Sequence, residues 1–328
     1  MLVTPEANRR NRRQALIVAA LVAWATGLLG WVFPALWLLL GLSPFAYWWV
    51  RRRYLRRKAV LRQPFPDRWE EILREQVAFF HALDEVQKVR FRQLVQIFLD
   101  EVRITGIRTT VDATTRVLVA ASAAIPIFGF HDWEYRRLRE VLIYPDAFDD
   151  AYRSTGGSDE HILGMVGLHH LSGVMILSKP ALLAGFADES GHHNVGVHEF
   201  AHLFEKEAGE YGLPPEVPWR VVRQWVGYVA RELARPPQHR DHINPYAYTN
   251  EHEFFAVLAE YFFTSPELLK RRDPTLYALL RKLFHQDTES LFSSMPGRGQ
   301  GVGRHELCPC GSGTLYKHCC RAVDATNG

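Results

Sequence analysis

The sequence predicts an α+β protein: a mixed sheet flanked by helices, preceded by a membrane-embedded helical hairpin and followed by a small metal-binding knuckle. Three observations carry this reading. Residues Ala15 to Val50 contain no charged side chain and lie between blocks of arginine. Short apolar runs of β character alternate with stretches whose apolar residues recur at three and four positions. All four cysteines fall between Cys308 and Cys320. At 328 residues, 47% hydrophobic and 23% charged, the chain can bury one substantial core with smaller appendages.

The first element is the anchor, residues 1–60. Arg9, Arg10, Arg12 and Arg13 precede the uncharged stretch, and Arg51, Arg52, Arg53, Arg56, Arg57 and Lys58 follow it. As one helix these 36 residues would reach about 54 Å, well beyond a ~30 Å hydrocarbon layer. Pro34, with Gly30 before it, falls near the middle. Two short spans, about 15–32 and 35–50, joined by a tight turn fit better. Both basic ends then stay in the cytoplasm, as the positive-inside tendency prefers, and Trp31, Trp37, Tyr47, Trp48 and Trp49 suit the membrane interfaces. The expected location is the bacterial inner (cytoplasmic) membrane, with the rest of the chain facing the cytoplasm. A cleavable signal segment ending near Ala23-Trp24-Ala25 fits less well, because the apolar run continues to a basic stop. A single tilted span would put the remainder outside the cell, and a soluble buried hairpin would make an unusual core. Net charge is +3, but without the two basic blocks the rest is acidic, so no nucleic-acid partner is expected.

The main domain is expected over 61–292. Residues 68–100 and 217–234 read as amphipathic helices. Val117-Leu118-Val119-Ala120-Ala121, Val141-Leu142-Ile143-Tyr144 and Val174-Met175-Ile176-Leu177-Ser178 are strand candidates, the last bounded by Gly173 and Pro180. Thr249 and Asn250 are good helix starters ahead of an apolar periodic run. Ser293 to Arg304 is Gly-rich and reads as a flexible linker, 293–304.

His198-Glu199-Phe200-Ala201-His202 is the most informative motif. Residues four apart share a helix face, so His198 and His202 can present two imidazole nitrogens to one metal ion. Glu199 is then placed to take a proton from water at the metal. A site of this zincin-like kind needs a third protein ligand and an open position for water. Glu253, in the first turn of the helix after Asn250, can supply it if the two helices pack together. Glu260 lies on the same side, where a supporting contact or a surface charge are both plausible roles. His192 and His193 read as loop residues just before the motif.

Together, HEFAH and the stretch Tyr246 to Phe263, with Phe65-Pro66-Asp67-Arg68-Trp69, Val141-Leu142-Ile143-Tyr144-Pro145 and Pro266-Glu267-Leu268, resemble the Mlc titration factor A family of zinc peptidases. That family is itself similar to the anthrax lethal factor catalytic domain. The resemblance covers roughly residues 64–290. It implies a gluzincin-like zinc metallopeptidase with zinc on His198, His202 and Glu253, Glu199 as general base, and Tyr246 facing the substrate oxyanion. Tyr248 is a nearby competitor for that last role, and a half-buried core position is the ordinary alternative for Tyr246. The strand 174–178 would pair with an extended peptide or protein substrate, unless it is simply a core strand. The apolar hairpin departs from the simplest family members. Members of the family associate with a glucose-responsive transcriptional repressor, so a regulatory binding factor with secondary peptidase activity is the rival reading.

The last element is the knuckle, 305–322. Cys308, Cys310, Cys319 and Cys320 have metal-ligand spacing, and Gly311 and Gly313 allow the turn between the pairs. Disulfides would be awkward between cysteines so closely spaced. The segment resembles the SEC-C motif. Four thiolates would close a structural zinc site, with His318 the substitute should one not bind. So small a unit needs metal to fold, and it is expected to bind a protein partner. Two Zn2+ ions are therefore expected, one catalytic and one structural.

Overall fold

The structure is a computed structural model that describes residues 3–145, 173–187, 193–208, 213–236 and 243–293. It divides into two compact units, residues 1–65 and 66–328. The linker beyond Ser293 and the knuckle lie outside the described residues.

The first unit begins with α1 (Pro5–Val32), where Pro5 occupies the first turn and the Thr4 hydroxyl accepts from the Ala7 N–H at 3.1 Å. It stops at Phe33, which is extended because Pro34 follows. A 3₁₀ segment over Pro34–Gly41 then leads into α2 (Leu42–Val60). The two helices contact each other through polar groups: Ser43 Oγ donates to the Ala19 carbonyl at 2.9 Å, and Arg51 Nη2 to Asn8 Oδ1 at 2.8 Å. Buried Ala7, Asn11 and Ala15 recur at intervals of four along α1. Trp24, Trp31, Trp48, Trp49 and many leucines remain exposed.

The expected second span is not a single α-helix. Pro44 lacks the N–H that would bond back to Leu40, and the residues before it tighten into the 3₁₀ segment. Among the described residues, α1 is the one helix long and apolar enough to cross a membrane.

The second unit opens with α3 (Asp67–Gln76), α4 (Ala78–Ala82) and α5 (Glu85–Glu101). The predicted helical stretch 68–100 is thus interrupted by extended Val77 and by Leu83 and Asp84. Asp84 and Gln87 form a reciprocal capping box that starts α5, with bonds of 2.8 and 3.0 Å. Strands β1 (Arg103–Gly106), β2 (Glu140–Tyr144) and β3 (Val174–Ser178) form one sheet in that order. Both pairings are parallel, aligning Ile104 with Val141 and Val141 with Met175. The mixed sheet of the sequence reading is therefore, among the described residues, wholly parallel. A crossover helix, α6 (Ala113–Ile127), connects β1 to β2, as a parallel pair requires. Among the described residues, β3 lies at an edge of this sheet.

Residues 117–121, read as a strand, form the middle of α6. The Asp112 carboxylate caps this helix by accepting from the Thr115 N–H at 2.7 Å, and every residue from Val117 to Ile127 is buried. A helix covered on all sides loses its polar stripe, so its sequence looks like a buried strand.

After β3 come α7 (Lys179–Ala187), α8 (Val195–Glu207) and α9 (Trp219–Leu233). A 3₁₀ turn at Pro245–Thr249 leads into α10 (Glu251–Thr264), α11 (Pro266–Arg272), α12 (Pro274–Phe284) and α13 (Thr288–Ser293). The core is aromatic: Phe204 of α8 meets Phe255 of α10 and Phe284 of α12 at centroid distances of 6.2 and 5.3 Å. Burying a phenylalanine contributes roughly 1.5–3 kcal/mol, so the contact of Phe204 with Phe255 helps to hold α8 against α10. Gly196 fixes how closely α8 meets α6, since a Cβ there would sit 2.1 Å from Ser122 Oγ.

Candidate metal centre

Helix α8 starts at Asn194, whose Oδ1 accepts from the Val197 N–H at 3.0 Å while its Nδ2 donates to the Gly185 carbonyl at 3.0 Å. This cap fixes the register that turns His198 and His202 to one side, both buried. Helix α10 starts at Asn250, whose Oδ1 accepts from the N–H groups of His252 and Glu253 at 2.9 Å each. Glu253 therefore stands in the first turn of α10, facing α8. A further tie between the two helices joins His252 Nδ1 to Glu205 Oε2 at 3.0 Å.

The donor atoms of His198, His202 and Glu253 all lie within 4.8 Å of one another. Glu253 Oε2 is 3.1 Å from His198 Nε2 and 3.4 Å from His202 Nε2. Three ligands about 2.0–2.1 Å from one tetrahedral ion would stand ~3.3 Å apart. Two imidazoles and one carboxylate are also the donor set that zinc favours, so the residues fit that ion. Helix packing has joined positions 55 residues apart in sequence.

The opposite nitrogen of His198 is held as well. Glu260 Oε2 lies 3.3 Å from His198 Nδ1, and Glu260 Oε1 accepts from the Asn194 N–H. His193 Nδ1 is 3.6 Å from the same carboxylate. Glu253 and Glu260, two turns apart on α10, thus face the two nitrogens of a single ring. Of the two roles open to Glu260, buried support of His198 is the one realised. His192 lies outside the described residues.

The electrostatics favour a cation. Burial works against a charged His198, but its hydrogen bonds to Glu253 and Glu260 and their charges prevail, lifting it to about 10. Burial likewise opposes ionisation of Glu260, yet His193 and His198 bring it down to about 2. Glu253 is held well below the usual carboxylate range by His198 and His202, again against burial. Glu199 behaves differently: burial pushes its carboxyl up, only partly offset by the two histidines. A raised carboxyl is a stronger base than an exposed one.

Tyr246 lies on the 3₁₀ turn, where the Asn244 Oδ1 accepts its N–H at 2.9 Å. Its ring centroid is 6.2 Å from that of His198. Burial, and then the charges of Glu253 and Glu199, raise its hydroxyl far above the ordinary tyrosine value, so it stays a hydrogen-bond donor. Tyr248 instead packs its ring on Phe254, with centroids 5.7 Å apart. Sequence reasoning missed Asn194 and Glu205. An Asn four residues before the first histidine is the capping signal that points to the former.

Two histidines on one helix and a glutamate on a second, with donor atoms close enough to share one metal ion, make the kind of group that a metallopeptidase needs. The chain belongs to the glucose-regulated metallo-peptidase M90 family, whose sequence profile matches residues 48–285. Residues 304–322 match the SEC-C motif. An uncharacterized protein of Synechocystis is 28% identical over 75% of this chain and 94% of its own length. Mlc titration factor A of Escherichia fergusonii is 28% identical over 67% of this chain and 86% of its own. The protein of the same name from Escherichia coli is 27% identical over the same shares.

Proposed function

We propose that this protein is a membrane-tethered zinc peptidase that hydrolyses peptide bonds, with His198, His202 and Glu253 as the metal ligands. The observation that supports it most is the convergence of those three donors beside a buried Glu199. Zinc, when bound, supplies a Lewis acid that lowers the pKa of water toward neutrality. Glu199 takes the proton of the attacking water and passes it to the leaving amine. The protonated Tyr246 hydroxyl donates to the developing oxyanion. Substrate binds as an extended chain along the outer edge of β3. The four knuckle cysteines, Cys308, Cys310, Cys319 and Cys320, hold a second, structural zinc and present a protein-binding surface.

α1 and the apolar start of α2 enter the inner membrane as a short hairpin, with the arginine blocks and the peptidase unit in the cytoplasm. The apolar length of α1 and its exposed leucines and tryptophans support this.

The test is Glu199→Gln. Zinc content should be unchanged while cleavage of a fluorogenic peptide falls at least about a hundredfold. Cleavage near the wild-type rate would refute the role of Glu199. A second reading follows from relatives named as titration factors for Mlc: the chain acts mainly by binding a regulatory protein. A cellular phenotype that survives Glu199→Gln would favour it.

A further inference from the structure

Helix α9 carries a glycine in its interior, where glycine is less favourable than alanine. No packing contact demands it, since a Cβ at Gly227 would meet only the Arg231 guanidinium, at 3.7 Å. The missing side chain instead opens a groove of about 490 Å³ between α9 and α12, with Ala278 on the α12 side. Arg223, Arg231 and Lys282 line it. None of these three forms an ion pair with an acidic group among the described residues, whereas nearby Arg281 and Lys270 pair with Asp287 and Glu289.

The neighbouring acids are engaged elsewhere. Asp273 accepts from the Tyr228 hydroxyl and the Leu276 N–H, and Glu232 turns to Arg235. Among the described residues, the groove is therefore a cationic concavity with no acidic side chain in its lining.

The spacing of the cations selects the ligand. Arg223 and Arg231 are eight residues apart on one helix, about 12 Å along its axis. A single small anion does not span that distance. Two carboxylates three or four residues apart on an extended chain do, at ~3.3 Å per residue. Trp219 and Val226, 55% and 49% exposed, add apolar surface on the same helix. We propose that this groove binds an extended acidic peptide segment of a partner protein. It shares no residue with the metal cluster, and the inference does not depend on the peptidase reading.

Fluorescence anisotropy of a labelled hexaglutamate peptide on the full-length protein tests this, with hexaglutamine as the neutral control. Hexaglutamate should bind, weaken as salt rises, and exceed hexaglutamine at least tenfold. Arg223→Glu with Lys282→Glu should lower its affinity at least tenfold. Gly227→Leu, which fills the groove without changing charge, should do the same while thermal melting stays cooperative. Three results would overturn the inference: binding unaffected by both groove changes, binding lost on neutralising Arg51, Arg52 and Arg53 instead, or binding lost only in His198→Ala. Complete displacement by millimolar inorganic phosphate at constant ionic strength would also overturn it, because it would make the site a phosphate pocket.

Discussion

Glu260 lies outside the group formed by His198, His202 and Glu253 and yet holds part of it in place. It fixes the ring of His198 through Nδ1 and the start of α8 through the Asn194 N–H. Carboxylates behind a ligating histidine typically contribute 10–100-fold in metal affinity. Glu260→Gln should therefore weaken zinc binding by about that factor, measured by chelator competition, while the circular dichroism of the metal-free protein stays the same. Unchanged affinity would reduce Glu260 to a packing role. The positions of His198, Glu199 and His202 were legible from their spacing, because a helix puts residues four apart on one face. The contact with Glu253 was legible only as a condition, since no periodicity reports which two helices pack.

At the scale of elements, what was legible followed how polar patterns survive folding. β2 and β3 were readable from short apolar runs between turn signals, and α9 from its one-sided periodicity. α6 was misread because Val117 to Ile127 are buried on every side, which erases the contrast between faces. β1, only four residues long, left no pattern of its own. Two predictions belong here. Gly196→Val should force α8 away from Ser122, costing about 1–3 kcal/mol by overpacking and lowering the melting temperature. α3 and α5 are clasped by Glu70, which takes two bonds from Arg92 at 2.6 and 2.7 Å. Hydrogen bonding to Arg92, more than burial opposes it, holds the Glu70 carboxyl below its ordinary value of 4.5. A depressed carboxyl stabilises the fold above its unfolded pKa and loses that contribution as pH falls through the folded value. Urea midpoints of wild type and Glu70→Gln should differ at pH 7 and converge as pH falls through the folded value; a constant gap would contradict the clasp.

Across the whole molecule, the chain joins an apolar amino-terminal unit, an M90 metallopeptidase unit and an SEC-C motif. The hairpin reading takes both arginine blocks as cytoplasmic, so an impermeant thiol reagent should not label a cysteine placed at residue 60 in intact cells. Labelling there would put the peptidase unit outside. Metal analysis of the full chain should give about two zinc ions, falling to about one when residues 294–328 are removed.

The most direct test of the metal centre is the zinc X-ray absorption spectrum of that tail-deleted protein. Nitrogen and oxygen neighbours at about 2.0–2.1 Å, including two imidazoles and no sulfur, are the expected result. A protein that takes up no zinc, or a Glu253→Ala variant with an unaltered spectrum, would contradict the assignment of His198, His202 and Glu253.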